Sequence, residues 1–428
     1  MPYRFVHAAD IHLDSPLRSL VLRDPELAEL IGGATRRAWV NVVELCLTEQ
    51  VDALLVAGDL YDGDQTSMKT ARFLAEQIRR LHEAGIGVFV IRGNHDALSR
   101  ITRELTFPDS VKVFGGRAEA VSVERTGGHF PVAVHGISFA RPQAPESLLP
   151  RFRPPVAGAV NIALLHTSLA GAPGHDPYAP CSLADLDAAG FDYWALGHIH
   201  KRSVVQGRSA VVMPGMPQGR DINEDGAKSV TLVTIADDRS ITVEERVTSV
   251  AQFERVAVDL TGIEDWREMV AALATSLEHA RGRVASEHMV ARLRFTGTTP
   301  LAWRLRCDRD LLRAEAADRA YVIGKSWIEK LDIDCRAPGV ADGADGVPAA
   351  DPVIELRRLI GDEVVASAAY QTEIATIAEE LRGQLPPECR QWLGADEAAF
   401  QQAVAALVQD GAEDVIARLR ARADTEAA

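Results

Sequence analysis

Short apolar runs, each long enough for one strand, recur through the first half of the chain: Arg4–Ala8, Ala53–Ala57, Val88–Ile91, Ile162–Leu165 and Tyr193–Leu196. They alternate little, which is the pattern of strands covered on both faces. Between them the period lengthens. Leu27–Glu49 reads as helical, and Ala71, Leu74, Ile78 and Leu81 mark one face of a second helix that Ser67 or Thr66 would cap. A βαβ rhythm results. Val132–Phe139 alternates as a further strand, and from Ser229 the alternating segments Val230–Ile235 and Ile241–Val247 are expected to close the second sheet of the same domain.

Phe253–Leu260 begins a new unit, expected to continue with a helix over Asp265–Arg281 and strands near Met289–Phe295 and Trp303–Cys307. The fold class expected is therefore α/β. A two-sheet βαβ sandwich with helices outside would span 1–250, a small α/β domain 252–337, a flexible Gly- and Pro-containing linker 338–352, and an acidic helical segment 353–428. In that last segment Ile374, Ile377 and Leu381, and again Phe400, Val404, Leu407 and Val408, follow helical spacing. A hairpin packed on its own chain and a docking arm for a partner protein account for the spacing equally well.

Composition narrows the class. With 428 residues and 47% hydrophobic content the chain can bury several cores, which excludes a peptide-scale module. No apolar stretch approaches the roughly 18 residues of a membrane helix, and Met1–Arg4 runs straight into a strand without a signal-peptide core, so a cytoplasmic protein is expected. Cys46, Cys181, Cys307, Cys335 and Cys389 form no Cys-x-x-Cys pair and read as reduced thiols. The net charge is −15, with 15 acidic against 7 basic residues in 351–428.

The chemistry lies where the apolar runs stop. They are followed by Asp10 and His12, by Gly58-Asp59, by Gly93-Asn94-His95-Asp96, by His166, and by Gly197-His198-Ile199-His200. In open α/β sheets the loops beyond the carboxyl ends of strands carry the ligand site. Asp10 with His12, and His198 with His200, stand i, i+2, so extended backbone would project both members of each pair to one side. Glycine precedes the polar residue at Gly58, Gly93 and Gly197, as expected where the chain turns sharply. Four histidines, two aspartates and one asparagine are too many donors for one ion. Two ions sharing a bridging carboxylate fit better. The mixed imidazole and carboxylate set favours manganese first, then iron or zinc, with magnesium less suited. Taken singly, a histidine in an apolar run is ordinarily a packed side chain and Gly-Asp ordinarily a turn; five such sites in register with strand ends are not. His7 and His135 are read as packed, His82, His129, His279 and His288 as uninvolved, and His175 as part of a solvated loop.

In their order these motifs resemble the calcineurin-like metallophosphoesterase superfamily: Asp-x-His, Gly-Asp, Gly-Asn-His-Asp, His, Gly-His-x-His. The resemblance implies a metallophosphoesterase sandwich with one ion held by Asp10, His12, Asp59 and His200 and another by Asp59, Asn94, His166 and His198, Asp59 bridging. It further implies that His95 contacts the phosphate and assists the leaving oxygen, with Asp96 orienting it. His7–Pro16, Gly58–Asp62 and Asp192–Lys201 look like the SbcD-type DNA repair exonucleases, and Tyr178–Ser182 and Pro214–Arg220 like the YhaO branch of that group. This likeness implies a capping domain and a two-metal DNA nuclease, exo- or endonucleolytic, working with an SbcC-like or SMC-like coiled-coil ATPase, with a homodimer also compatible. Ile11 and Ala97 stand where Trp and Ser are usual, and Asp221–Gly226 lacks an expected histidine. The acidic balance runs against DNA binding, but Arg18, Arg92, Lys201, Arg202 and Arg220 lie beside the ligand loops; Arg18 and Arg220 are the candidate phosphate contacts. A small-molecule phosphodiesterase or phosphatase, and a DNA-binding scaffold subunit with little activity, are the alternatives.

Overall fold

A computed structural model describes residues 1–15, 25–62, 67–98, 107–123, 130–169, 178–338, 352–385, 394 and 396–426, with backbone only at 352–354 and 421–426. Arg18, Thr66, His129, His175, Cys389 and residues 339–351 of the expected linker lie outside them. The chain forms two compact units, one of residues 1–255, 281–291 and 325–329, the other of 256–280, 292–324 and 330–428.

The strands of the first unit are β1 (Tyr3–Ala8), β2 (Ala53–Ala57), β3 (Gly87–Ile91), β4 (Val111–Val113), β5 (Glu119–Val123), β6 (Val132–Gly136), β7 (Val160–His166), β8 (Tyr193–Gly197), β9 (Ser203–Gln206), β10 (Ala210–Met213), β11 (Ser229–Ile235) and β12 (Ile241–Val247). They make two six-stranded sheets, ordered β12-β11-β1-β2-β3-β4 and β5-β6-β7-β8-β10-β9. The centre of each is parallel: β1, β2, β3 and β4 in the first, β6, β7, β8 and β10 in the second.

Burial on both faces explains the unbroken apolar runs. Tyr3 and Phe5 of β1 join Leu55, Ile91, Val134, Ile162, Leu164 and Tyr193 in one core between the sheets. Val6 and Ala8 turn to the other face, against Trp39, Val42 and Cys46 of helix Ala34–Thr48 and Leu74, Ile78 and Leu81 of helix Met68–Glu83. On the far side of the second sheet Leu165, Trp194 and Leu196 pack with Phe139, Leu186 and Phe191. At ~25 cal/mol per Å² of buried apolar surface, these layers supply the main drive for folding. His7 bridges the sheets, with Tyr193 Oη at 3.0 Å and the Leu196 carbonyl at 3.0 Å; His135 meets Asn161 Oδ1 at 3.0 Å.

Three expectations require correction. β11 and β12 extend the first sheet, Tyr3 pairing opposite Ile235, because β1 would otherwise leave an unpaired edge there. Leu27–Glu49 is two helices, Pro25–Gly32 and Ala34–Thr48, broken at the Gly32-Gly33 pair. Trp303–Cys307 is helical within Ala302–Cys307, burying Ala302 and Leu305 at i, i+3 spacing; five residues alternating in polarity carry too little period to separate helix from strand. The remaining sheet is β13 (Ala251–Asp259), β14 (His288–Thr296) and β15 (Ser326–Ile333), in that order.

In the second unit the carboxyl-terminal segment is helical over Pro352–Leu359, Ala368–Gln384 and Glu397–Glu426. Its acidic residues are partly consumed internally, since Arg306, 8% exposed, donates to Asp410 at 2.7 Å and Asp414 at 3.1 Å. Phe400 is buried, with the Arg382 guanidinium 4.2 Å from its ring centre, whereas Ile377, Leu381 and Leu407 are exposed. Cys46, Cys181, Cys307 and Cys335 are free thiols. Among the described residues no helix is long and apolar enough to cross a membrane.

Candidate metal centre

The parallel order of β1, β2 and β3, and of β7 and β8, brings the carboxyl ends of these strands to one edge of the sandwich. The loops there are tied to one another through backbone. Asp10 N donates to the Gly58 carbonyl at 3.1 Å, His12 N to that of Asp59 at 3.0 Å, and His198 N reaches the Asp10 carboxylate at 2.9 Å. The backbone at Asp10 (φ 53°), His12 (φ 44°), Asp59 (φ 52°) and His198 (φ 103°) is left-handed, which costs each of these residues on the order of 1–3 kcal/mol. Turned backbone, not the extended i, i+2 alternation expected, therefore aims Asp10 and His12 inward: β1 has already ended at Ala8. Gly93 is required by space, because a Cβ there would overlap Asp59 Oδ1 and the His166 ring.

Two groups of donors converge. Asp10, His12 and His200 bring ligand atoms within 4.8 Å of one another, as do Asp10, Asp59 and His166. Asn94 Oδ1 lies 3.0 Å from His166 Nε2 and 3.2 Å from His198 Nδ1, and Asp59 Oδ2 lies 3.3 Å from His166 Nε2. The donor chemistry fits cations. His12 Nδ1 faces Asp62 Oδ1 at 2.7 Å and His200 Nδ1 faces Glu224 Oε1 at 2.8 Å, so in both neutral rings the proton sits on Nδ1. Their Nε2 lone pairs then oppose each other across 3.3 Å. His166 repeats this: Nδ1 donates to the Ala57 carbonyl at 2.9 Å, leaving Nε2 turned to the oxygens of Asn94 and Asp59. Acceptors facing acceptors in a buried site attract positive charge. Against the burial that disfavours it, Asp59 pushes the His166 imidazole up to about 9; the same field favours a metal ion.

His95 stands at the mouth, its side chain 46% exposed, with Nδ1 3.1 Å from Asp62 Oδ1 and its amide on Asp59 Oδ1 at 2.9 Å. The Asp62 contact raises its affinity for a proton, against burial. Asp62 thus grips His12 and His95 together. Asp96, expected to orient His95, is fully buried and accepts instead from Leu60 N at 3.0 Å and Gly93 N at 2.7 Å, pinning the β2 and β3 loops to each other. Arg220 lies nearby, held by Glu224. The donors open onto a cleft of about 640 Å³ whose lining includes Asn94, His95, Tyr178, His198, Lys201 and Lys228.

Comparison with known proteins agrees with this arrangement. The profile of the calcineurin-like phosphoesterases matches residues 3–202, and that of the metallophosphoesterase YhaO middle domain matches 253–336. The uncharacterized metallophosphoesterase YhaO of Bacillus subtilis is 34% identical over 340 residues, 77% of this chain and 81% of that protein. The chain belongs to the calcineurin-like metallophosphoesterase family. The DNA double-strand break repair protein Mre11 of Sulfurisphaera tokodaii is 26% identical over 55% of this metallophosphoesterase and 60% of its own length. Mre11 of Methanocaldococcus jannaschii is 28% identical over 46% and 51%. The chain therefore spans only about half to three-fifths of these two relatives. A dimetal phosphatase from Danio rerio aligns with 58% of this chain and 97% of its own, at a TM-score of 0.34 and 13% identity.

Calcineurin-like phosphoesterases bind two divalent metal ions, and the Asp and His clusters of this member can hold them. As a metallophosphoesterase it is a hydrolase of phosphate esters. The motifs did not single out Asp62 or Glu224. Asp62 carried a local signal, lying three residues after Asp59. Glu224 lay in an acidic turn, Asp221–Asp225, whose meaning depends on His200 being folded against it.

Proposed function

We propose that this metallophosphoesterase is a two-metal DNA nuclease, hydrolysing phosphodiester bonds in DNA repair beside an SMC-like coiled-coil ATPase. The observation that carries the reading is the pairing of two donor clusters that share Asp10, one of them including Asp59, with an exposed, Asp62-held His95 at the mouth of an open cleft. The likeness to Mre11 proteins supports DNA as the substrate class. Two divalent ions, manganese for preference, would be held by Asp10, His12, Asp59 and His200 and by Asp59, Asn94, His166 and His198, and would supply an activated water and neutralise the phosphate.

The chain's own residues do the rest. Asp62 keeps the His95 ring aimed at the cleft and favours its protonated form, whose Nε2–H can donate to the departing oxygen. Arg220 offers a guanidinium to a phosphate oxygen. Lys201 and Lys228, both lining the cleft, hold positive charge along the substrate backbone. The test is cleavage of an end-labelled DNA duplex with manganese by the wild-type chain and by His95→Ala. Degradation falling about 10²–10⁴-fold in the variant is expected. Turnover of a chromogenic phosphodiester with duplex left intact, even with the ATPase supplied, would assign a small-molecule phosphodiesterase instead.

A further inference from the structure

Glu224 is placed between two parts of the centre that sequence keeps apart. Its Oε1 accepts from His200 Nδ1 at 2.8 Å and from Arg220 Nη2 at 2.7 Å. Its Oε2 accepts from the Arg220 backbone N at 2.8 Å and from Arg220 Nε at 3.2 Å. The carboxylate is largely enclosed, 12% exposed, and Arg220 is 23% exposed. The turn that presents it is fixed, since Asp221 accepts from Asn223 N at 2.7 Å and Ile222 is buried with Leu27, Ile31 and Phe253. Arg220 Nη1, left over from this clasp, reaches Ser15 Oγ at a long 3.5 Å.

From this we infer that Glu224 is a positioning residue that couples metal retention to phosphate binding: one oxygen fixes the His200 ring with Nε2 toward the centre, while both oxygens hold Arg220 so that Nη1 can meet a substrate phosphate. The inference rests on the phosphoesterase reading above, in that it takes Arg220 as a phosphate contact. A carboxylate behind a metal-bound imidazole fixes its tautomer and raises its basicity, and losing such a partner typically weakens metal binding roughly 10–100-fold. A guanidinium held along one edge by a carboxylate loses little further freedom on gripping an anion with the other. Both duties fall on one side chain. They separate in Glu224→Gln, whose amide oxygen can still accept from His200 but which brings an NH₂ and no charge to Arg220.

The experiment compares the full-length wild type with E224Q, E224A, R220A and the E224A/R220A pair. Free Mn2+ is titrated by electron paramagnetic resonance, inorganic phosphate is titrated by calorimetry at saturating Mn2+, and KM and kcat are measured on a chromogenic phosphodiester. E224A should bind Mn2+ roughly 10–100-fold more weakly. It should also lose phosphate affinity to the extent that R220A does, about tenfold, and the pair should lose no more than E224A alone. E224Q should keep Mn2+ affinity within about threefold yet match R220A in phosphate affinity, raising KM with kcat nearly unchanged. Wild-type Mn2+ and phosphate affinities in E224A, or additive losses in the pair, overturn the coupling. If E224A fails to fold, the isosteric E224Q decides through its split between the two titrations. A wild type that binds both ligands as described but cleaves neither diester nor DNA would end the nuclease reading and leave the coupling standing.

Discussion

At the scale of single residues, the centre depends on partners that fix which nitrogen of each imidazole is free. His12, His166 and His200 are committed by Asp62, Ala57 and Glu224, so each ring turns Nε2 inward before an ion arrives, and at His166 an ion would take the place of a proton. His7 shows the opposite use of the same side chain. Fully buried, it is lowered by desolvation to about 3, and both ring nitrogens are spent on Tyr193 and Leu196. The unfolded chain takes up a proton there near 6.5 and the folded chain does not, so the stabilisation is complete above that pH and is lost as pH falls toward about 3. His7→Gln should therefore be less stable at neutrality but lose less stability than wild type between about pH 7 and about pH 5, as read from urea melts. Parallel losses in the two proteins would show that His7 is protonated without penalty.

At the scale of elements, strands without room at their ends set the precision of the site. Gly93→Ala should leave β3 intact while displacing Asp59 and His166, costing about 1–3 kcal/mol in thermal melts and weakening Mn2+ binding in a titration. A variant with unaltered metal affinity would mean the loop yields freely. Most of this level was legible in the chain. The central strands announce themselves because both faces are buried, and Asp10, Asp59, Asn94, His166 and His198 follow because each lies at or just beyond a strand end. What stayed hidden depends on distant contacts. The edge joined by β11 is chosen by hydrogen bonding along β1, and the Trp303–Cys307 helix by packing of Ala302 and Leu305. Asp62 and Asp96 are chemically alike in sequence; only the fold sends one to His95 and the other to the Leu60 and Gly93 amides.

At the scale of the whole molecule, the family's ions tie stability to metal supply, since ligands that bind only the folded form add about 2.7 kcal/mol at roughly a hundredfold excess over Kd. Mn2+ should raise the melting temperature and a chelator should return it, measured by differential scanning calorimetry. A melting temperature indifferent to both would mean that the clusters hold no ion. Within an overall charge of −15, Lys201 and Lys228 line the cleft, and Arg220 is held by Glu224. The clasp between the loops after β1, β2 and β8, made by backbone and by the Asp10 carboxylate, has a further consequence, for biosynthesis. A nascent chain that has emerged only through β3 and its loop carries Asp10, His12, Asp59 and Asn94 but neither the histidines opposite them nor Glu224. The donor set is therefore complete only once synthesis has passed β8 and the turn that carries Glu224, and a chain stopped earlier holds only part of the centre.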